Sequence, residues 1–235
     1  MSNWNEGVLE QSQTRMNTRN ILKNVYVWMA IALAITGVVA YGMSQNINLV
    51  VGLYKSGIIY AVIIAQVIIA FAIGGFIMRL NPALATGIFV LYSVLMGVSL
   101  SGIFIVYQLG SIYKAFFGAA IMFGVMSAHG ITTKRDLTSW GTFLGMAVIG
   151  LIIASVINMF LQSSMMDYII SAVCVVVFTG LTAYDTQKIK QMSDSYGSQI
   201  NEGDYIRLSI LGALNLYIDF INIFLSLLRL FGDRR

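Results

Sequence analysis

The chain has 235 residues, of which 58% are hydrophobic and only 10% charged, with a mean hydropathy of +0.81. A soluble domain of this size carries about a quarter charged residues, so this chain cannot cover a globule with polar surface. Disorder, a collagen-like repeat and nucleic-acid binding through a basic surface are excluded on the same grounds. The net charge of +4 comes from few residues gathered between apolar runs, and it reads as membrane topology. One cysteine, Cys174, excludes an internal disulfide. One histidine, His129, argues against a zinc, haem or redox-metal centre.

A membrane-crossing helix needs roughly 20 apolar residues. In chain order the runs Val25–Met43, Ile58–Met78, Ala83–Tyr107, Ala115–Ile131, Trp140–Leu161, Tyr168–Asp185 and Leu208–Leu228 qualify. They are too long and too continuously apolar for barrel strands. The predicted fold is an all-α membrane protein of seven transmembrane helices. It comprises an N-terminal tail over 1–24, a helical domain over 25–231 and a short tail over 232–235. The first run follows Arg15, Arg19 and Lys23, but its length and the six spans behind it predict a retained helix, not a cleaved signal peptide.

The N-terminal tail and the loops after spans two, four and six carry nine basic residues, against five on the other side. The positive-inside rule therefore predicts a cytoplasmic N-terminus. Seven full crossings put the basic C-terminus outside, while a re-entrant last segment would return it to the cytoplasm. Small residues at helix-packing spacing, Ser93-Gly97-Ser101 and Gly141-Gly145, predict close helix approaches.

The last span carries the chemistry. Its polar residues Asn215, Asp219, Asn222, Ser226 and Arg229 follow one another at intervals of four, three, four and three, a single helical stripe. Such a stripe must turn to the bundle interior or to a water-filled cavity, which makes these residues pore-lining candidates. Asp219 lies 12 residues past Arg207, about 18 Å by helical rise, too deep to reach water by snorkelling. In span six, Asp185 has Thr182 one turn earlier on the same face, and a helix that runs on through Lys188 and Lys190 would leave Asp185 within about two turns of its cytoplasmic end. If the two spans are neighbours, Asp185 and Asp219 lie at similar depth, and Arg79 closes span two on the same side. A carboxylate near the C-terminus of a helix opposes the macrodipole, so Asp185 asks for a functional reason. Two carboxylates side by side in a low dielectric share one proton over a wide pH range. With amide oxygens nearby they are also hard ligands for Ca²⁺, at Asp185 and Asp219 in particular.

Tyr184-Asp185, the run from Leu216 through Asp219 and Asn222 to Leu227-Leu228-Arg229, the Phe76–Arg79 end of span two and the Lys134–Thr138 loop together resemble the Bax inhibitor-1 family. The resemblance covers about Arg19 to Phe231. It implies six helices surrounding a central seventh and a pH-sensitive Ca²⁺ leak. It also implies a proton-sharing pair at Asp185 and Asp219, with Arg79 as their latch. No cofactor is implied beyond Ca²⁺ as permeant ion, and no enzymatic activity; the partners are Ca²⁺, protons and the bilayer. Some bacterial members lack the aspartate pair and act as partners of a membrane protease, so a protease partner is the non-transport alternative. The absence of a lysine-rich tail points to a bacterial inner membrane. An intramembrane aspartyl protease fits less well, because Tyr217-Ile218 stand before Asp219 where a Gly-x-Gly is needed and no Pro-Ala-Leu segment follows. A proton-coupled cation transporter or antiporter uses the same carboxylates but shows no inverted repeat here. A retinal protein is excluded by the lack of lysine in the last span.

Overall fold

The computed structural model describes residues 2–196 and 201–235, with side chains described for 21–195 and 201–235. Its helices, in order, are α1 (Ser2–Ser44), α2 (Ile47–Lys55), α3 (Ile58–Phe76, closed by a 3₁₀ turn over Ile77–Arg79), α4 (Pro82–Leu100) and α5 (Ile103–Val106). They continue with α6 (Leu109–Thr132), α7 (Thr138–Leu161), α8 (Ser164–Tyr196) and α9 (Glu202–Phe231). No strand forms among the described residues; an isolated antiparallel bridge pairs Tyr107 with Arg234. Seven segments are long and apolar enough to cross a membrane, as the hydropathy pattern predicts. In the last of them 72% of the most apolar stretch is buried, against 11–33% in the other six. The first span's helix reaches back to Ser2; the side chains of Arg15 and Arg19, which enter the charge count, lie outside the described residues.

The helices divide into two compact units, Met1–Ile105 with Ile189–Asn215, and Val106–Lys188 with Leu216–Arg235. In the first unit, α1 packs on α4 where small residues let the backbones close. The Thr36 hydroxyl donates to the Ser93 carbonyl at 2.9 Å, and a Cβ on Gly97 would stand 2.7 Å from the Val39 Cβ. This is the close approach predicted from the Ser93-Gly97-Ser101 spacing. Asn81 caps α4 by accepting from the Ala83 N–H at 3.0 Å, and Pro82 fills the first helical turn, where its missing donor costs nothing.

The third span is not one unbroken helix. It stops at Leu100 and resumes at Ile103. Tyr54 of α2 presses against Gly102, where a Cβ would lie 2.6 Å from the phenol oxygen, and donates to the Ser99 carbonyl at 2.8 Å. The α2 helix itself has no counterpart among the predicted elements. Nine residues are too few for a span, and its N-cap is Asn46, which accepts from the Leu49 N–H at 3.1 Å.

In the second unit an edge-to-face aromatic cluster joins α6 to α9. Phe116 and Phe123 meet Phe220 with centroids 5.3 and 5.8 Å apart, and Phe116 also meets Phe224 at 6.2 Å. At the start of α7, Asp136 accepts from the Thr138 N–H at 2.9 Å and from its hydroxyl at 2.6 Å. These bonds hold the exposed Asp136 carboxyl below its ordinary 3.8. A depressed folded value means the cap is in place above the ordinary carboxylate range and is lost as pH falls through that lower value. We expect a ¹³C carboxyl titration of Asp136 to show a midpoint below 3.8, moving back up in Thr138→Ala.

Candidate functional site

The apolar run of the sixth span ends at Asp185, but the helix does run on through Lys188 and Lys190. It continues to Tyr196, 11 residues or about 16 Å beyond Asp185. Asp185 is therefore an interior residue of α8, and the expected conflict with the helix dipole at its C-terminus does not arise, because that effect fades within the last turn. Asp219 is likewise mid-helix, 12 residues before Phe231.

The two carboxyl groups lie close enough to interact directly with each other. Asp219 is 3% exposed, and its Oδ2 has no hydrogen-bond partner among the described residues. Asp185 is half-buried, and Lys188, one turn on, places positive charge near it while its ammonium lies 5.7 Å from the Tyr184 ring centroid. A buried polar oxygen without a partner costs roughly 1–3 kcal/mol, so the arrangement is not one that packing alone would favour.

The stretch of α8 around Asp185 is held closely. On α6, a Cβ at Gly130 would collide with the Ala183 carbonyl oxygen and stand 3.0 Å from the Thr186 Cβ. Ser127 and Thr186 share a hydrogen bond at 3.2 Å, with both side chains buried. On α7, Gly141 leaves room for the Tyr184 ring. Gln187 then ties α8 to the preceding loop: its Oε1 accepts from the Leu137 N–H, and its Nε2 donates to the Arg135 carbonyl, both at 2.8 Å. Sequence reasoning missed Gln187; its one signal was a long polar side chain two residues past Asp185. Gly145, paired with Gly141 by spacing, has nothing within 4 Å of a Cβ position and takes no part in packing.

The polar stripe of α9 divides in two. Asn215, Asn222 and Arg229 lie, with Leu211, Ile218 and Leu225, on the less buried line of the helix, whereas Asp219 and Ser226 flank it on the buried side. Asn222 donates from its amide to the Ile218 carbonyl at 2.8 Å. Ser226 lies near the Cys174 thiol. Thr182 is fully buried and its hydroxyl is engaged with the Phe178 carbonyl at 2.8 Å. Arg79 belongs to the first unit, at the end of its 3₁₀ turn. It is exposed and forms no ion pair with a carboxylate among the described residues. No group of three or more His, Cys, Asp or Glu side chains comes together among the described residues, so Asp185 and Asp219 are the acidic oxygens available to a cation here.

Seven apolar helices, the last of them the most buried and carrying half of an internal carboxyl pair, define a polytopic α-helical membrane protein with ionisable groups inside its helical domain. Residues 18–235 match the family model described as inhibitor of apoptosis-promoting Bax1. The chain is 43% identical over 227 residues to the inner membrane protein YbhL of Escherichia coli K12, covering 95% of each. It is 40% identical to an uncharacterized protein of Borreliella burgdorferi, over 96% of this chain and 97% of that one. It is 41% identical to the uncharacterized protein RP147 of Rickettsia prowazekii, over 92% and 91%. The chain belongs to the Bax inhibitor-1 family.

Proposed function

We propose that the chain is a Ca²⁺-permeable leak of a bacterial inner membrane, opened and closed by protonation of Asp185 and Asp219. In this reading its N-terminus is cytoplasmic, its buried last helix is the central one, and it has neither enzymatic activity nor a resident cofactor. The observation that carries it is the approach of two carboxyl groups, Asp185 and the buried Asp219, to each other in the interior of two apolar helices. An ionised carboxylate only accepts, so two carboxyl groups in contact can be joined by a hydrogen bond only while one of them holds a proton. Removing that proton leaves two anions in contact at low dielectric. The helices must then separate or admit a cation.

Ca²⁺ takes six to eight oxygen ligands, and two carboxylates supply too few for a stable cage. They suit an ion in transit, with the less buried line of Asn215, Asn222 and Arg229 as part of its path. Arg79 is the latch that the family resemblance implies. Arg79→Ala should raise basal Ca²⁺ efflux from loaded proteoliposomes at neutral pH several-fold; an unchanged basal rate removes the latch. The same vesicles separate a leak from proton-coupled exchange. A leak discharges Ca²⁺ with the proton gradient collapsed by an ionophore, whereas an antiporter stops.

A further inference from the structure

At the end of the second unit remote from the Asp136 loop, where α7 ends, α8 begins and α9 finishes, two adjoining cavities of about 440 and 340 Å³ share the side chains of Ser164, Asp167 and Arg234. One is completed by Asn158 and Gln162, the other by Tyr168, Arg229 and Gly232. The walls are built before any ligand arrives. Asn158 is 5% exposed; its amide donates to the Ser163 carbonyl at 3.2 Å and to Asp167 Oδ1 at 2.5 Å, and its Oδ1 accepts from the Ser163 N–H at 3.1 Å. Gln162, at φ 51°, turns the chain between α7 and α8.

The opposite wall is the C-terminal segment, bound back onto the start of α6. The Gln108 N–H donates to the Asp233 carbonyl at 3.0 Å, the Arg235 N–H to the Val106 carbonyl at 2.9 Å, and the Asp233 N–H to the Ser111 hydroxyl at 3.0 Å. The Arg234 guanidinium lies 5.9 Å from the Tyr107 ring centroid.

Neither Arg229 nor Arg234 forms an ion pair with a carboxylate among the described residues, and no cation pairs with Asp167. Two guanidinium groups without a carboxylate partner, lining one concavity, are a fork for a phosphate, since planar N–H pairs match phosphate oxygens. A carboxylate on the same wall takes an ammonium group. The site lies at the ends of membrane-length helices, the level at which lipid phosphates sit on both faces of a bilayer. We propose that this cavity binds the phosphoethanolamine headgroup of a membrane lipid, the phosphate on Arg229 and Arg234 and the ammonium on Asp167. The site lies apart from the carboxyl pair; it shares Arg229 with the proposed ion path, but lipid retention is read without any flux and so tests it separately from the leak.

The test is lipid retention by the purified full chain in detergent, read by native mass spectrometry after adding phosphatidylethanolamine, phosphatidylcholine or phosphatidylglycerol of matched chains. Phosphatidylethanolamine should be retained several-fold over the other two. Asp167→Asn should abolish that preference, and Arg234→Gln should lower retention of all three phospholipids. Arg234 is an exposed side chain, and Arg234→Lys, which keeps the charge, should restore part of the binding. Equal retention by wild type and an Arg229→Gln/Arg234→Gln variant overturns the site. Soluble O-phosphoethanolamine competing as well as the lipid overturns the lipid as its occupant.

Discussion

Replacing Asp219 by Asn should remove the pH dependence of Ca²⁺ efflux from proteoliposomes. In the native chain the Asp185–Asp219 bond needs a proton from one of the two acids, and each acid can lose it. An Asn amide donates permanently. Asp185 then has a partner that can donate to it or accept from it in either protonation state, and the like-charge repulsion that would part α8 from α9 never develops. The variant should therefore show one flux at every pH, held near the closed level, while the wild type changes by an order of magnitude or more if repulsion of even about 1.4 kcal/mol enters the gating equilibrium. Asp185→Asn should act in the same direction. It is half-buried beside Lys188, so a remaining Asp219 carboxylate has less solvent to relieve it and the variant should be the less stable of the two in detergent.

The second large effect falls on residues with no ionisable group. Gly130→Ala should lower the thermal stability of the detergent-solubilised protein, by about 1–3 kcal/mol if the over-packing is as costly as in other tight cores. The new methyl meets the Ala183 carbonyl oxygen, which belongs to helix backbone and cannot swing aside as a side-chain tip would. Because Ala183 lies two residues before Asp185, the displacement that relieves the clash should also misplace the carboxyl pair. The flux of Gly130→Ala should then change with pH less steeply than that of the wild type. Gly145→Ala is the matched control. A Cβ there meets nothing within 4 Å, and the alanine gains up to about 1 kcal/mol of helix propensity. Equal melting temperatures for Gly130→Ala and Gly145→Ala would show that the α6–α8 approach does not hold the pair.

The spans were legible because each needs a run of apolar residues that no soluble fold would tolerate. Asp185 and Asp219 stood out because they interrupt such runs. Hydropathy reports where a helix leaves hydrocarbon and not where it ends. It therefore left open how far α8 continues past Asp185 through Lys188 and Lys190; the helix includes both and Asp194 as well. It missed α2 and the break after Leu100 for a related reason. The two meet where Tyr54 packs against Gly102, a contact between residues 48 apart in sequence that no local pattern encodes. The four-three spacing put the α9 stripe on one side of the helix, but which polar residues are deeply buried is decided by the neighbours. Asp219 and Ser226 are covered while Asn215 and Asn222 remain half-open. The Gly-xxx-Gly spacing at Gly141 and Gly145 shows the same limit: only Gly141 has a partner close enough to require it.

The most direct measurement is Ca²⁺ efflux from proteoliposomes of the wild-type chain across roughly pH 5 to 8, because a carboxyl pair that shares a proton titrates as a unit and its charge depends on pH. The account predicts efflux above that of protein-free vesicles, varying with pH along a curve that Asp219→Asn flattens. Efflux indistinguishable from protein-free vesicles throughout, or a pH curve that the Asp219→Asn variant reproduces, would contradict it.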